Sequence, residues 1–309
     1  MRLSIKIVHI ISQTCFDCKF QSNFLCKLLH GNRILNMPDK DQTIKDFGKQ
    51  WLRYSDNEGY YGSLELFSDM LSPFLKLEDL KNCKVAEIGS GAGRIVNMLL
   101  ESGVQHVVAV EPSDAFAVLV PNIRNPKKVT LLKISGEQLP AYGDLDYIFS
   151  IGVLHHIPDP DPVVKAAFRA LRAGGLFLVW LYGKEGNEFY LTIVNLLRLI
   201  TKHLPHFALA GFVWMIYCPL VFYIGLCSRF PLPLKKYLLL IFAKMSPEKR
   251  RLIIYDQLNP NYAKYYTKSE AVELLSDGGF INVQTHHRHG YSWTVIGTKP
   301  DPSNKQKRN

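Results

Sequence analysis

Short runs of aliphatic residues alternate with glycine turns and helical stretches through the middle of the chain. Three of these runs predict strands, at Val85–Ile88, Val107–Val110 and Val129–Leu132. Strands rich in Val, Ile and Leu on both faces are typical of a parallel sheet that is covered by helices on both sides. The pattern therefore predicts a doubly wound α/β domain.

A helix and two more strands are predicted near the end of the chain. Thr267 has the features of a helix N-cap, and Glu270 stands three residues later, which completes a capping box. The helix is expected to end at the glycines 278 and 279. Strands are then predicted at 280–285 and 291–298, joined by a turn at His289 and Gly290.

Residues 208–227 form a stretch of 20 residues without a charge, ALAGFVWMIYCPLVFYIGLC. This length matches a helix that spans a bilayer. However, Pro219 interrupts the stretch, and a single crossing would separate later strands from the sheet that they complete. Three alternatives remain open: a spanning helix with a short second limb at 237–245, a buried lid over an apolar pocket, or a lid that contacts a membrane surface through Arg229 and Lys235–Lys236.

A candidate ligand-binding segment begins at the end of the first strand, where residues 87–93 read EIGSGAG. Closely spaced glycines let the backbone turn tightly and approach a ligand. Glu111 follows the second strand, where such folds place a carboxylate for ribose hydroxyls. The third glycine comes one residue early for a dinucleotide motif. Glu87 would repel a pyrophosphate but suits a ligand with an ammonium and a sulfonium.

Four segments in order resemble the motifs of the class I S-adenosylmethionine (SAM)-dependent methyltransferases, of the type 11/12 kind. Residues 87–93 match E/D-x-G-x-G-x-G, and residues 135–140, SGEQLP, resemble the loop beside the adenine, with Ser135 in place of the usual acid. Residues 145–157 resemble the fourth strand and its V-L-H-H-I ending. Residues 171–180 resemble the L-R-P-G-G turn into the fifth strand, with alanine replacing proline.

The resemblance covers roughly residues 44–183 and, more weakly, 257–299. It implies a Rossmann-like, seven-stranded, mostly parallel sheet with a helical, strongly apolar insertion after the fifth strand. The predicted division of the chain is an N-terminal extension (1–36), a helical cover (37–82), a SAM-binding core (83–186), the apolar insertion (187–254), the C-terminal completion of the sheet (255–300) and a basic tail (301–309).

The resemblance also implies SAM as the cofactor and a set of residues around it. This set comprises Glu87, Gly89, Ser90, Gly91, Gly93, Glu111, Ser135, Gly136, Glu137, Ser150 and Ile151. In the cover, Tyr60 and Tyr61 could present their ring faces to the sulfonium. Alternatively, these two rings only pack the first helix on the sheet.

Acceptor and catalytic residues are predicted outside this set. Asp256, Asn259 and Tyr262 belong to a segment that resembles Y-D-x-x-x-P-x-Y, which borders the acceptor pocket in related enzymes. The other interpretation of this segment is a turn in which proline ends a helix. His155 or His156 is the nearest base for a hydroxyl acceptor, although paired histidines at this position also serve to cap the turn.

Composition and charge bear on the partners. The chain has 309 residues, 47% of them hydrophobic, and a net charge of +10 with a pI near 9.2. This charge favours an anionic partner. Because no aromatic-interleaved basic stripe or RNA-binding module is present, the sequence argues against a nucleic acid. It favours a small-molecule or lipid-like acceptor and peripheral membrane contact.

The cysteines do not form a disulfide or zinc pattern. Cys15 and Cys18 form a lone C-x-x-C, and Cys26 is isolated, so free thiols in a reducing cytoplasm are predicted and no metal site. Two functions remain open. The first is SAM-dependent methyl transfer to a small, lipophilic acceptor, and the alternative is a non-catalytic SAM-binding or scaffold protein.

Overall fold

The structure is a computed structural model that describes residues 40–201, 204–258 and 262–303. The N-terminal extension 1–36 with its cysteines, the predicted acceptor residue Asn259 and most of the basic tail lie outside the described residues.

Seven strands form one sheet in the order β3-β2-β1-β4-β5-β7-β6. Pairing is parallel from β3 to β5, and β7 runs antiparallel to both of its neighbours. This arrangement confirms the predicted seven-stranded, mostly parallel sheet. The strands are β1 (Lys84–Ile88), β2 (His106–Val110), β3 (Val129–Leu132), β4 (Leu145–Ile151), β5 (Leu171–Tyr182), β6 (Ile281–Arg288) and β7 (Ser292–Thr298).

Alternate residues of the central strands enter two apolar layers, one on each face of the sheet. Val85 and Val107 point into one layer, and Ala86 and Val108 point into the other. Helices cover both layers, which explains why these strands have apolar residues at nearly every position. The helices of this part are α1 (Lys40–Arg53), α2 (Leu64–Leu71), α3 (Arg94–Glu101), α4 (Phe116–Asn122) and α5 (Asp161–Ala170).

The insertion after β5 is helical, as predicted. It consists of α6 (Glu188–Thr201), α7 (His206–Arg229), α8 (Lys235–Leu240) and α9 (Pro247–Leu258). The expected interruption at Pro219 is wrong, because α7 continues through this residue. Pro219 lies on the exposed side of α7, where water can satisfy the carbonyl that loses its helical donor.

The C-terminal segment returns to the sheet through a capped helix, α10 (Lys268–Ser276). The Glu270 carboxylate accepts from the Thr267 backbone N–H at 2.8 Å, and the Thr267 hydroxyl accepts from the Glu270 N–H at 3.3 Å. The predicted capping box is therefore present. Strand β6 runs three residues past its predicted end, because pairing with β7 continues to Arg288 and Ser292.

A buried ion pair ties the β6–β7 turn to α2. The side chain of Arg288 is only 2% exposed, and its Nε donates to Asp69 Oδ2 at 2.6 Å. Asp69 Oδ1 lies 2.8 Å from His289 Nε2. Loss of one member of a buried pair leaves the other charge without compensation in a medium that solvates it poorly.

We therefore predict that Asp69→Asn lowers the free energy of unfolding by about 2 kcal/mol, because Arg288 stays buried without its counter-charge. Chemical denaturation of the purified protein measures this value. Glu65→Gln, four residues earlier on the same helix, is the matched control, since its partner Lys244 is exposed. Equal stability losses in the two variants would contradict the prediction.

Candidate functional site

The loop after β1 turns back on the sheet through residues with left-handed backbone conformations. Gly89 has a φ of +82°, and a Cβ placed there would lie 2.4 Å from Val153 Cγ2. The Gly89 and Ser90 N–H groups both donate to the Val110 carbonyl, at 2.8 and 2.9 Å. Only glycine fits this position without strain, and the loop is fixed to the end of β2.

Glu111, directly after β2, completes the attachment of this loop. Its Oε2 accepts from the Gly91 N–H at 2.8 Å, and its Oε1 accepts from the Ser113 N–H at 2.9 Å and from the Ser113 hydroxyl. Each carboxylate oxygen has further capacity to accept. Glu111 can therefore hold the loop and still receive hydrogen bonds from the hydroxyls of a ribose.

Glu87 is a buried acid with incomplete partners. It is 1% exposed, and its Oε2 has no hydrogen-bond partner among the described residues. Burial raises the pKa of the Glu87 carboxyl to about 8, because a charge without compensation is costly away from water. An orphaned carboxylate oxygen beside the glycine loop fits a cationic ligand such as SAM, whose charges would favour the ionised acid.

A cavity of about 490 Å³ opens beside this loop. It extends from the ends of β1 and β2, past the ends of β4 and β5, to the helices of the insertion. Its wall is mainly apolar. The predicted site residues in the wall are Tyr61, Gly89, Glu111, Ser135, Gly136, Ile151, His156 and Asp256.

Other predicted site residues lie behind the wall rather than in it. Gly91 and Gly93 shape the loop, and the Ser150 hydroxyl donates to the Ile88 carbonyl at 3.4 Å, which joins β4 to β1. The residues absent from the described wall are Tyr60, Glu87, Ser90, Gly91, Gly93, Glu137, Ser150, His155 and Tyr262.

Aromatic residues of the helical cover lie around the glycine loop and the cavity, but not all of those predicted from the sequence face the cavity. Trp51 on α1 lies 3.2 Å from the point where a Cβ on Gly91 would be, so it forms a roof over the loop. Tyr61 lines the cavity, but the Arg94 guanidinium already lies 4.2 Å from its ring centroid. Tyr60 instead faces the insertion, where its hydroxyl donates to the Leu240 carbonyl at 3.4 Å.

The two histidines after β4 have different surroundings. His155 is fully buried, with its ring centroid 3.8 Å from that of Tyr182, and neither ring nitrogen has a partner among the described residues. Burial lowers the pKa of His155 well below its ordinary value. The ring is therefore neutral and acts as a packing element, and it does not line the cavity.

His156 lines the cavity wall. Its Nδ1 lies 3.0 Å from the Tyr262 carbonyl oxygen, and because a carbonyl only accepts, Nδ1 carries the proton. Burial lowers the pKa of His156, so the ring is neutral near pH 7 and its Nε2 has a free lone pair. Of the two histidines, only His156 can accept a proton from a group in the cavity.

Asp256, on the last helix of the insertion, reaches the same wall. Its carboxylate accepts from Gln50 Nε2 and from the Tyr182 hydroxyl, each at 2.9 Å. Burial raises the pKa of Tyr182 well above its ordinary value, so this phenol remains a donor. Sequence reasoning missed Gln50 and Tyr182, because they are 206 and 74 residues away from Asp256 along the chain.

A family model described as "Methyltransferase domain" matches residues 86–179, the segment that holds the glycine loop and Glu111. The chain carries a class I SAM-dependent methyltransferase domain. This match confirms the resemblance seen in the four motifs, and the cofactor of the methyltransferase domain is SAM. The match ends before α6, so it does not include the insertion.

Curated relatives share part of the chain. This protein is 30% identical over 146 residues to a tRNA U34 carboxymethyltransferase of Shewanella halifaxensis (strain HAW-EB4). The alignment covers 41% of this chain and 44% of that protein. This protein is 35% identical over 123 residues to the enzyme of the same name from Pseudoalteromonas translucida (strain TAC 125), covering 39% and 38%. The chain thus spans less than half the length of these relatives.

The names of these relatives overturn one prediction. The sequence argued against a nucleic acid as partner because no RNA-binding module was recognised. That prediction is wrong, because proteins that share this segment are named for action on tRNA. The missing signal has a physical reason. Binding of RNA needs positive charge on a surface, which the folded chain can assemble without any contiguous motif.

A solved structure of an O-methyltransferase family protein from Burkholderia thailandensis is also similar. It has 13% sequence identity and a TM-score of 0.47, covering 83% of this chain and 59% of that one. At this level the likeness says nothing about function.

The burial of Glu87 predicts that SAM affinity depends on pH. Below about pH 8 the Glu87 carboxyl is protonated and cannot offset the positive charge of the cofactor. Because the amino group of SAM also titrates in this range, the quantity to follow is the ratio of SAM affinities of the wild type and Glu87→Gln, which should rise about tenfold between pH 7 and pH 9. Calorimetric titration at several pH values measures this change. Glu87→Gln serves as the reference, since any dependence left in that variant comes from other groups. An identical pH profile in both proteins would contradict the prediction.

Proposed function

We propose that this protein transfers a methyl group from SAM to an acceptor with a substantial apolar part. The observation that carries the proposal is the continuity of the cavity. It runs from Glu111 and the glycine loop to the apolar side chains of the insertion without leaving the protein. An acceptor bound at the insertion end would therefore meet the cofactor within one continuous cavity.

The insertion supplies most of the apolar wall. Ile193, Val194 and Leu197 of α6 line it together with Ile216 and Leu220 of α7. Burial of apolar surface against such a wall contributes about 25 cal/mol per Å² to binding. These side chains lie outside the matched methyltransferase segment, as expected for a part of the chain that selects the acceptor.

Methyl transfer makes modest demands on the side chains around it. SAM, when bound, supplies an electrophilic methyl group, and the protein aligns the acceptor with it and excludes water. The Trp51 ring over the loop and the apolar wall of the cavity help to exclude water. If the acceptor atom is a hydroxyl oxygen, the free lone pair of His156 Nε2 can accept its proton.

A larger side chain at the apolar end of the cavity should weaken binding of the acceptor without weakening binding of SAM. We predict that Leu220→Trp lowers methyl incorporation into a lipid extract at least about tenfold, since the larger ring occupies acceptor space, while SAM affinity stays unchanged. Labelled SAM and calorimetry measure the two effects. The neighbouring change Val221→Trp is the control, because Val221 faces outward. Equal losses in both variants would refute this use of the cavity.

A second candidate acceptor is tRNA. The names of the curated relatives support it, and a net charge of +10 suits a polyanion. In that case a nucleotide would have to enter the cavity by leaving its stack, and the surrounding rings could receive it.

One incubation distinguishes the two acceptors and the non-catalytic alternative. Purified full-length protein is mixed with methyl-labelled SAM, total tRNA and a membrane lipid extract, and the label is then counted in RNA and in the organic phase. Label in the organic phase supports the apolar acceptor, and label in RNA supports the tRNA. SAM binding without any transfer would support a sensor or scaffold.

We also propose that the insertion contacts a membrane surface. Helix Phe207–Arg229 is apolar enough to cross a bilayer, yet only 11% of its 18-residue apolar window is buried in the protein. Its outward stripe includes Phe207, Trp214 and Phe222, all exposed. Exposed apolar area of this extent is unusual on a protein that meets only water.

A surface contact fits the fold better than a crossing. Strands before and after the insertion belong to one sheet, so a crossing helix needs a partner to return the chain. Helix α8 has six residues, about 9 Å at 1.5 Å per residue, which is too short. Arg229 and Lys236 are exposed near the end of α7, where they can meet anionic head groups.

We predict that the double variant Trp214→Asp, Phe222→Asp lowers binding to vesicles rich in phosphatidylglycerol about tenfold or more, because two carboxylates would have to enter the interface. Cosedimentation measures the bound fraction. Val120→Asp, an exposed apolar position on α4, controls for the added charge. Wild-type binding by the double variant would disprove the contact.

A further inference from the structure

The acceptor end of the cavity contains a carboxylate without a cationic partner. Of the described residues in the cavity wall, two carry carboxylates: Glu111, at the cofactor end, and Asp256. Asp256 accepts hydrogen bonds only from neutral groups, the Gln50 amide and the Tyr182 phenol. It forms no ion pair with the described part of the chain, although the protein as a whole is strongly basic.

Three described arginines lie near the cavity, and none forms an ion pair with Asp256. Arg288 is paired with Asp69, and Arg94 lies over Tyr61 on the cofactor side. Arg198 donates to the Gln257 carbonyl at 2.7 Å and to the Tyr265 hydroxyl. Asp256 is thus a carboxylate at the acceptor end that hydrogen bonds hold and no described ion pair neutralises, so a cationic group of a ligand can pair with it.

Aromatic rings surround this carboxylate. The ring centroid of Tyr182 lies 5.2 Å from that of Tyr265, 5.6 Å from that of Trp180 and 5.5 Å from that of His156. All four rings line the cavity. Aromatic faces together with a carboxylate form the usual environment for an organic ammonium group. A neutral hydroxyl can donate to the carboxylate but gains no cation–π attraction from the rings.

We propose that Asp256 and the rings around Tyr182 bind a basic nitrogen of the acceptor, so that the protein methylates a lipophilic amine. This inference rests on the proposed methyl transfer and names its substrate class. The apolar wall of the insertion takes the hydrocarbon part, and the amine nitrogen lies at Asp256 on the side of the cavity that leads to the glycine loop.

The ammonium form that Asp256 binds has no lone pair, so it first gives one proton to the lone pair of His156 Nε2 in the same cavity wall. The neutral amine nitrogen uses its lone pair to form a bond to the methyl carbon, while the bond from this carbon to sulfur breaks and its electrons stay on sulfur. The positive charge therefore moves from the sulfonium to the nitrogen. Asp256 stabilises the charge that develops on nitrogen, and the new ammonium can later release a proton to water.

The test compares decylamine with decanol, two probes that share a chain and differ in the head group. Binding to the full-length protein without SAM is measured by quenching of tryptophan fluorescence, because Trp51 and Trp180 line the cavity. We expect decylamine to bind about tenfold more tightly than decanol. Asp256→Asn should remove this preference. With SAM present, mass spectrometry should detect N-methyldecylamine.

Three further measurements separate folding and cofactor effects from the amine site. Tyr182→Phe removes a donor but leaves the carboxylate, so it should keep the preference for the amine. Asp277→Asn, an exposed acid at the end of α10, should behave as wild type. SAM binding by Asp256→Asn, measured by calorimetry, shows that this variant is folded.

Equal binding of decylamine and decanol by the wild type would overturn the inference, as would failure to bind either probe or a preference that survives in Asp256→Asn. Failure of the proposed methyl transfer has a different signature: SAM does not bind, or no label is transferred to any acceptor, whatever the two probes do. A preference for decylamine that depends on Asp256 supports the amine site in either case.

Discussion

The attachment of the glycine loop to Glu111 is the constraint on which the rest of the site depends. The carboxylate at the end of β2 accepts from the backbone of Gly91 and from Ser113, so the loop after β1 and the turn after β2 hold one shape. The ends of these two strands then form the floor of the cavity at the place where we propose that SAM binds. Bare backbone is needed there, because a side chain at Gly89 would collide with Val153.

Helix α7 of the insertion has apolar residues on the side that faces the cavity and on the side that faces outward. Leu220 and Ile216 of α7 face the cavity, while Trp214 and Phe222 of the same helix face outward. A helix that is apolar all round is stable in water only if it is covered. One side of α7 is covered by the protein, and a membrane surface would cover the other, which would also bring a lipophilic acceptor close to the cavity.

The net charge of the whole protein differs from the charge balance of the cavity wall. The excess of Lys and Arg over Asp and Glu makes the protein basic, and this fits a membrane or an RNA equally well. In the described cavity wall the excess disappears, because two arginines, Arg94 and Arg288, stand against two carboxylates, Glu111 and Asp256. Net charge alone is therefore a poor guide to the acceptor.

The sequence by itself determined the sheet, the cofactor motif and the position of the insertion. These features depend on local patterns: apolar runs that need burial on both faces, glycines at fixed spacing, and the capping box at Thr267. The continuation of α7 through Pro219 was not predicted, since the exposure that makes the proline tolerable is a tertiary property.

Only the tertiary structure decided which side chains share a wall. Neighbouring histidines have opposite surroundings, because the strand end turns His155 inward against Tyr182 and leaves His156 at the cavity. Gln50, Tyr182 and Asp256 meet although they come from a cover helix, a strand and the insertion. Such contacts arise from packing of distant segments, and no local pattern along the chain encodes them.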